Sequence, residues 1–214
     1  MPARIVHYGH RMAPVAPSPA IDPRHAALLL MDFQAGIVDS LPDGGDLIAR
    51  VAAARACATR AGVRTIFIRV AFTDAARRSV PDRNKSFAAI ASTDRLADGN
   101  ADADIHATLK PRADDLVLTK TRVGAFSTTD LAAQLAASGI DTLILAGIST
   151  SGVMLSTIRD AADHDYRLYV LADCCADRDA EVHRVLLDQV FVRQADIIES
   201  TDLDTLLDLS TGQA

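Results

Sequence analysis

Short apolar runs alternate with helix-period patterns along nearly the whole chain, and this alternation limits the folds open to it. Ala26–Met31, Val63–Ala71, Asp115–Lys120, Thr142–Ala146, Arg167–Ala172 and Ala195–Glu199 read as six strands. The continuous run Ala26–Met31 is the mark of a strand covered on both faces. Between the strands, Asp46–Ala61 puts Leu47, Val51, Ala54 and Ala58 on one helical face and stops at Gly62. Ser127–Asp130 resembles a capping box for a helix through Ala137, ended by Gly139. Helical spacing returns at Gly152–Asp163, Ala180–Val192 and Thr201–Leu209. The alternation predicts one α/β domain, a mainly parallel sheet with helices on both faces. The chain has 214 residues, and chains of that size bury roughly 70% of their unfolded surface.

Trp is absent and aromatics make up 4% of the chain, so the core has to be aliphatic. The net charge of −6, with no run of Lys or Arg, argues against nucleic acid or an anionic membrane as partner. No stretch reaches transmembrane length, and the N-terminus lacks the apolar core of a signal peptide. Cys57, Cys174 and Cys175 give an odd count with no disulfide framework, which predicts a reducing cytoplasmic setting. Five of the eight prolines fall within Met1–Pro23. Residues 1–24 are therefore predicted to form an extended arm, over the domain or a neighbouring subunit, ahead of a domain spanning 25–214. The Phe72–Arg112 connection, with a short helix near Asp102–Leu109, is long enough to suggest function.

In open parallel sheets ligands sit beyond the carboxyl ends of the strands. Asp32 closes the first strand, where partial desolvation would raise its pKa and suit it to proton transfer. Read alone, such a residue is also an ordinary turn or cap. Lys120 closes the third strand and can keep a carboxylate ionised or stabilise developing negative charge; alone, it is equally a solvated strand-end lysine. The fourth strand runs through Gly147-Ile148-Ser149-Thr150-Ser151-Gly152-Val153 straight into a helix. A turn of that kind gathers backbone N–H groups and the positive end of a helix dipole in one small volume.

Taken together these pieces resemble the isochorismatase-like cysteine hydrolases, over nearly all of the chain from Ala26 to Asp196. The pieces are Leu29-Leu30-Met31-Asp32-Phe33-Gln34, Asn84-Lys85-Ser86-Phe87, Thr119-Lys120-Thr121-Arg122-Val123-Gly124-Ala125-Phe126-Ser127, the Gly147–Val153 turn, and Cys175-Ala176-Asp177-Arg178-Asp179. The resemblance implies a Rossmann-like three-layer sandwich with a six-stranded parallel sheet in the order 3-2-1-4-5-6. It also implies that Asp32 and Lys120 are catalytic. In the thiol hydrolases of that family the Asp deprotonates a Cys, which attacks an amide carbonyl. A non-proline cis peptide commonly precedes that Cys, and Ile148-Ser149 is the matching bond here. The Cys itself is replaced by Val153, which has no lone pair to attack with. Isochorismatases proper carry Gly at that position and cleave a vinyl ether by acid-assisted addition of water, without a protein nucleophile. Cys175 matches a Cys that family members carry beside the nucleophile and reads as packing.

The resulting expectation is a hydrolase of a small polar molecule, with Asp32, Lys120 and the position of Val153 at its centre. Phe33, Gln34, Asn84, Phe87 and Phe126 are expected as pocket walls from their nearness to the motifs, with Ile148, Ser149 and Thr150 supplied by the turn. No cofactor is expected. Nicotinamidases of the superfamily bind metal through an Asp-x-His pair, but Val70–Asp74 has no nearby His and the six histidines lack ligand spacing. No dinucleotide fingerprint is present. A homo-oligomer of two or more copies is expected. The alternative is a catalytically silent relative that binds a small ligand or serves in an assembly.

Overall fold

β1 (Ala26–Met31) is buried at every residue, because strands flank it on both sides and helices cover both faces. The computed structural model describes residues 18–208. After β1 come the short α1 (Ala35–Val38), α2 (Gly44–Arg60) and β2 (Arg64–Val70). The long connection holds α3 (Asp74–Arg78) and α4 (Lys85–Ala91) before β3 (Leu116–Lys120). Then follow α5 (Leu131–Ala137), β4 (Thr142–Ile148), α6 (Leu155–Asp163), β5 (Arg167–Ala176), α7 (Ala180–Val185), β6 (Asp196–Ile198) and α8 (Leu203–Leu206). The six strands form one sheet in the order β3-β2-β1-β4-β5-β6, and every pair is parallel. Fold class and strand order match the sequence expectation.

Side chains two apart share a face of a strand, and the core divides accordingly. Leu28 and Leu30 pack with Ile144, Ala146, Tyr169 and the apolar stripe of α2. Ala27, Leu29 and Met31 face the other way, onto Leu143, Leu145 and the buried sides of α5 and α6. A third, smaller cluster joins the end of β2 to the long connection through Val70, Phe72, Phe87 and Leu96.

Several boundaries differ from those read in the sequence, each for a local reason. β5 runs on to Ala176, because a register shift opposite Leu145 and Gly147 lets Cys175 and Ala176 pair with Gly147 and Ile148. The carboxylate of Asp173, inside the extended strand, accepts from Ser200 N (2.8 Å) and Oγ (2.6 Å). α5 begins at Leu131 rather than at Ser127: its N-cap Asp130 makes no side-chain capping bond, and Thr129 Oγ1 donates to Ala125 O while accepting from Leu131 N (3.2 Å). Residues 150–154 form a π-helical turn before α6, and a second one, Leu186–Val190, extends α7. The short helix expected near Asp102–Leu109 is two 3₁₀ turns, Ala101–Ala103 and Ala107–Leu109.

Of the expected N-terminal arm, residues 1–17 lie outside the described residues, as does Leu209 at the end of the last expected helix. Residues 18–24 lie against the domain. Ile21 is buried and donates its N–H to Leu206 O (2.9 Å), and the Tyr169 hydroxyl donates to Pro19 O (2.7 Å).

Candidate functional site

The chain leaves β1 by a sharp turn at Asp32, whose φ of 62° lies in the left-handed region. Asp tolerates that region better than most residues because its short polar side chain bonds locally. Its N–H donates to Ile68 O (2.8 Å) and its carbonyl accepts from Gln34 N (2.8 Å). Lys120 ends β3, on the far side of β2 from Asp32. Its stem crosses the end of β2, and Nζ donates to Asp32 Oδ2 at 2.9 Å and to Arg122 O at 3.3 Å.

Both members of this pair are buried, with Asp32 at 6% and Lys120 at 2% exposure, and that decides the electrostatics. Burial pushes the Asp32 carboxyl above the usual carboxylate value, while the Lys120 charge and hydrogen bond pull in the opposite direction. The net direction is upward. Oδ1 of Asp32 is buried without a partner among the described residues.

The turn after β4 supplies the third side of the site. The Ile148–Ser149 peptide is cis, at the bond the family resemblance implied. Gly152 N and Met154 N both donate to Ser149 O (3.1 and 3.2 Å), closing the π-helical turn that carries Val153. A Cβ at Gly152 would lie 2.7 Å from Ser149 Oγ, so only glycine leaves room for that hydroxyl. From the end of β5, Asp177 Oδ2 accepts from Ser151 N (2.7 Å) and ties the turn down. Burial raises the Asp177 carboxyl, but hydrogen bonds from Ser151, Asp179 and Arg178 outweigh it and hold the group below its usual value.

A cavity of about 370 Å³ opens over these groups. Among the expected residues, Asp32, Lys120, Phe87, Ile148, Ser149 and Val153 line it. The other expected walls have different surroundings. Phe33 is in the core against α2, its backbone carbonyl taken by His106 N (2.9 Å). Gln34 is a buried clamp: its amide donates to Val70 O (2.8 Å) and Ala103 O (2.7 Å) and accepts from Val70 N (2.7 Å). Asn84 caps α4 and lines an adjoining groove with Arg122 and Arg159. Phe126 stacks on the His164 ring at 5.4 Å. Thr150 is fully buried, with Oγ1 2.7 Å from His183 Nδ1. Nearness to a motif was a poor guide here, because consecutive residues at a strand end point in opposite directions.

Sequence reading missed Ile37, Ile90, Arg95, Val123, Asp177 and Arg178 as cavity-lining residues. Asp177 and Arg178 sat inside a quoted motif. Ile90 and Arg95 belong to the long connection, where nothing periodic marks which side faces inward.

The thiols are poor nucleophiles where they stand. Burial pushes Cys175 to about 12 and Cys57 to about 11. Burial lowers His183, against the opposing charges of Asp177 and Asp188. Among the described residues no group of three or more His, Cys, Asp or Glu is arranged to hold a metal ion, and no helix is long and apolar enough to cross a membrane.

Comparison with known proteins agrees with this geometry at the level of family and fold. Residues 26–202 match the isochorismatase domain family. Over 107 residues the chain is 35% identical to the maleamate amidohydrolase of Pseudomonas putida, a match that spans half of each protein. It is 31% identical over 206 residues to the ureidoacrylate amidohydrolase RutB of Methylobacterium radiotolerans, covering 86% of this chain and 80% of that one. An isochorismatase family protein from Burkholderia thailandensis superposes with a TM-score of 0.76 at 26% identity, over 89% of this chain and 98% of the other.

Proposed function

This chain belongs to the isochorismatase family, and on that premise we propose that it hydrolyses a small polar molecule. Asp32 is the proton-transfer group and Lys120 its electrostatic partner. Val153 stands where the family's thiol hydrolases carry their cysteine. The observation that carries the reading is the divided state of one buried carboxylate. Oδ2 of Asp32 is held by Lys120 at 2.9 Å, while Oδ1 has no partner among the described residues. An acid with a raised pKa and one oxygen unoccupied beside a cavity is poised to give and take a proton.

Val153 offers no lone pair, so an acyl-enzyme at that position cannot form. Water is then the nucleophile. Protonated Asp32 gives its proton to the substrate, water adds to the cation that results, and the surplus water proton returns to the carboxylate. The balance is one water added across the broken bond, with the enzyme regenerated. This follows the vinyl-ether chemistry that the family resemblance implies. Isochorismate itself is not assigned, because a valine side chain takes up space that glycine would leave for a ring. An amide of the kind named for the two amidohydrolase relatives is the other substrate class to test. No cofactor is called for. Self-association into a dimer or higher oligomer and a cytoplasmic setting belong to the same proposal.

The second reading, a silent member that binds a small ligand or serves in an assembly, is favoured by the buried apolar side chain at the nucleophile position. A hydrolase panel of amides, ureido compounds, vinyl ethers and esters separates the two, run on wild type, Asp32→Asn and Val153→Cys. Turnover by wild type that is lost in Asp32→Asn supports the enzyme. Turnover by Val153→Cys alone would make the chain a disarmed thiol hydrolase.

A further inference from the structure

We infer that Arg95 is the anion-recognition residue of this cavity, selecting ligands that carry a carboxylate on a small apolar body. The inference rests on the hydrolase reading only in taking that ligand to be the substrate.

Arg95 lies in the loop between α4 and the buried Leu96, and the backbone around it is fixed on both sides. Arg77, on α3, sits over the Phe72 ring at 5.4 Å and gives its guanidinium to backbone carbonyls of this loop. Nη1 donates to Thr93 O and to Ile90 O (3.4 Å), and Nη2 donates to Arg95 O (2.7 Å). Leu96 N donates to Asp102 Oδ2 (2.8 Å), and Leu96 O accepts from Phe72 N (2.9 Å).

Among the described residues the Arg95 side chain has almost nothing to bind. It lines the cavity, makes no ion pair among the described residues, and has one long contact from Nη2 to Gly36 O at 3.4 Å. None of the neighbouring acids lies within ion-pair distance of Arg95 among the described residues, although Asp102 Oδ1 is itself without a partner there. Asp98 pairs with Arg69 at 2.7 Å, and Asp102 accepts from Leu96 N. Within the cavity, Asp32 is held by Lys120 and Asp177 by Ser151 N–H. Arg95 is exposed to solvent, and its guanidinium, on an ordered backbone beside walls made of Ile37, Phe87, Ile90 and Val123, is open to an incoming anion.

A guanidinium fork fits a carboxylate in two parallel hydrogen bonds. Because the loop is already ordered, little conformational entropy is lost when the ligand arrives. The apolar walls suit a short hydrocarbon body, and a volume of about 370 Å³ limits it to a small one. Arg178 lines the same cavity and is the residue against which this assignment has to be judged.

Calorimetry with crotonate and the isosteric, uncharged crotonamide at low ionic strength tests the proposal. Wild type should bind crotonate at least about tenfold more tightly than crotonamide, the expected value of one charge-assisted hydrogen-bonded pair. Arg95→Gln should abolish that preference while crotonamide binding and the melting temperature stay put. Arg178→Gln should retain the preference. Arg95→Lys keeps the charge without the fork and should retain part of it, which also covers failure of the Gln variant to fold. No preference in wild type, a preference that survives in folded Arg95→Gln, or one lost in Arg178→Gln alone would overturn the assignment. Calorimetry reads binding without turnover, so the result stands apart from any failure to detect hydrolysis.

Discussion

Lys120 reaches across the end of β2 to put Nζ 2.9 Å from Asp32 Oδ2, joining residues 88 apart in sequence and leaving Asp32 Oδ1 without a partner among the described residues. The proposed function gives the pair a chemical role beside its structural one, and substitutions can separate the two.

Asp32→Asn keeps shape and removes the transferable proton. The rate should fall by about 10²–10⁴-fold, while ligand binding changes far less because the cavity walls remain. Steady-state kinetics beside calorimetry read the two effects separately. Equal turnover in the variant would remove Asp32 from the chemistry.

Lys120→Met leaves a buried carboxylate without its counter-charge. Breaking one member of such a pair costs about 3–5 kcal/mol, which urea unfolding should register. The double variant Asp32→Asn/Lys120→Met should recover most of that loss, since no charge is then stranded. A double variant as unstable as the single would mean that the Lys120 stem, not its charge, carries the stability.

The two cavity carboxyls should give stability profiles of opposite sign. Asp32 is raised above its ordinary 3.8 in the folded chain, so the folded state holds the proton longer. Its contribution is full below about pH 4 and is lost as pH rises through the elevated folded value. Asp177 is depressed, so its contribution is present above about pH 4 and is lost as pH falls through the lower folded value. Unfolding free energies across pH for wild type, Asp32→Asn and Asp177→Asn should show each slope vanish in its own variant.

Alkylation of the thiols should be slow at neutral pH and should leave turnover intact apart from steric blocking. Cys57 and Cys175 are pushed to about 11 and about 12 by burial, so little thiolate is present. Cys175→Ser should also remain active. An acyl adduct on Cys175 in intact-mass spectra would show that the nucleophile had moved there.

Gly152→Ala should drive a methyl into Ser149 Oγ, 2.7 Å from the new carbon, at the turn that carries Val153. Overpacking of this kind costs about 1–3 kcal/mol. Adding Ser149→Ala removes the obstructing hydroxyl and should restore the melting temperature. No recovery would mean that the strain lies in the backbone.

The period of the apolar residues was sufficient to place six strands, their parallel pairing and the sheet edge where chemistry should gather. It works because alternate strand residues and every third or fourth helix residue have to be buried, whatever packs against them. Asp32 and Lys120 were visible as charged residues ending apolar runs, and Val153 stood out through family resemblance. Chain position could not give side-chain direction after a strand ends. Phe33 and Gln34 follow Asp32 directly, yet one turns into the α2 core and the other clamps Val70 and Ala103. Ile90, at the end of α4, and Arg95, in the loop after it, reach the cavity because Arg77 bonds carbonyls of both and Asp102 holds Leu96 N, contacts whose geometry no local pattern encodes. Thus local periodicity determined the sheet and the ends of its strands. Only tertiary packing, by closing a long aperiodic connection over those ends, decided which side chains meet there and which carboxylate oxygen has no partner among the described residues.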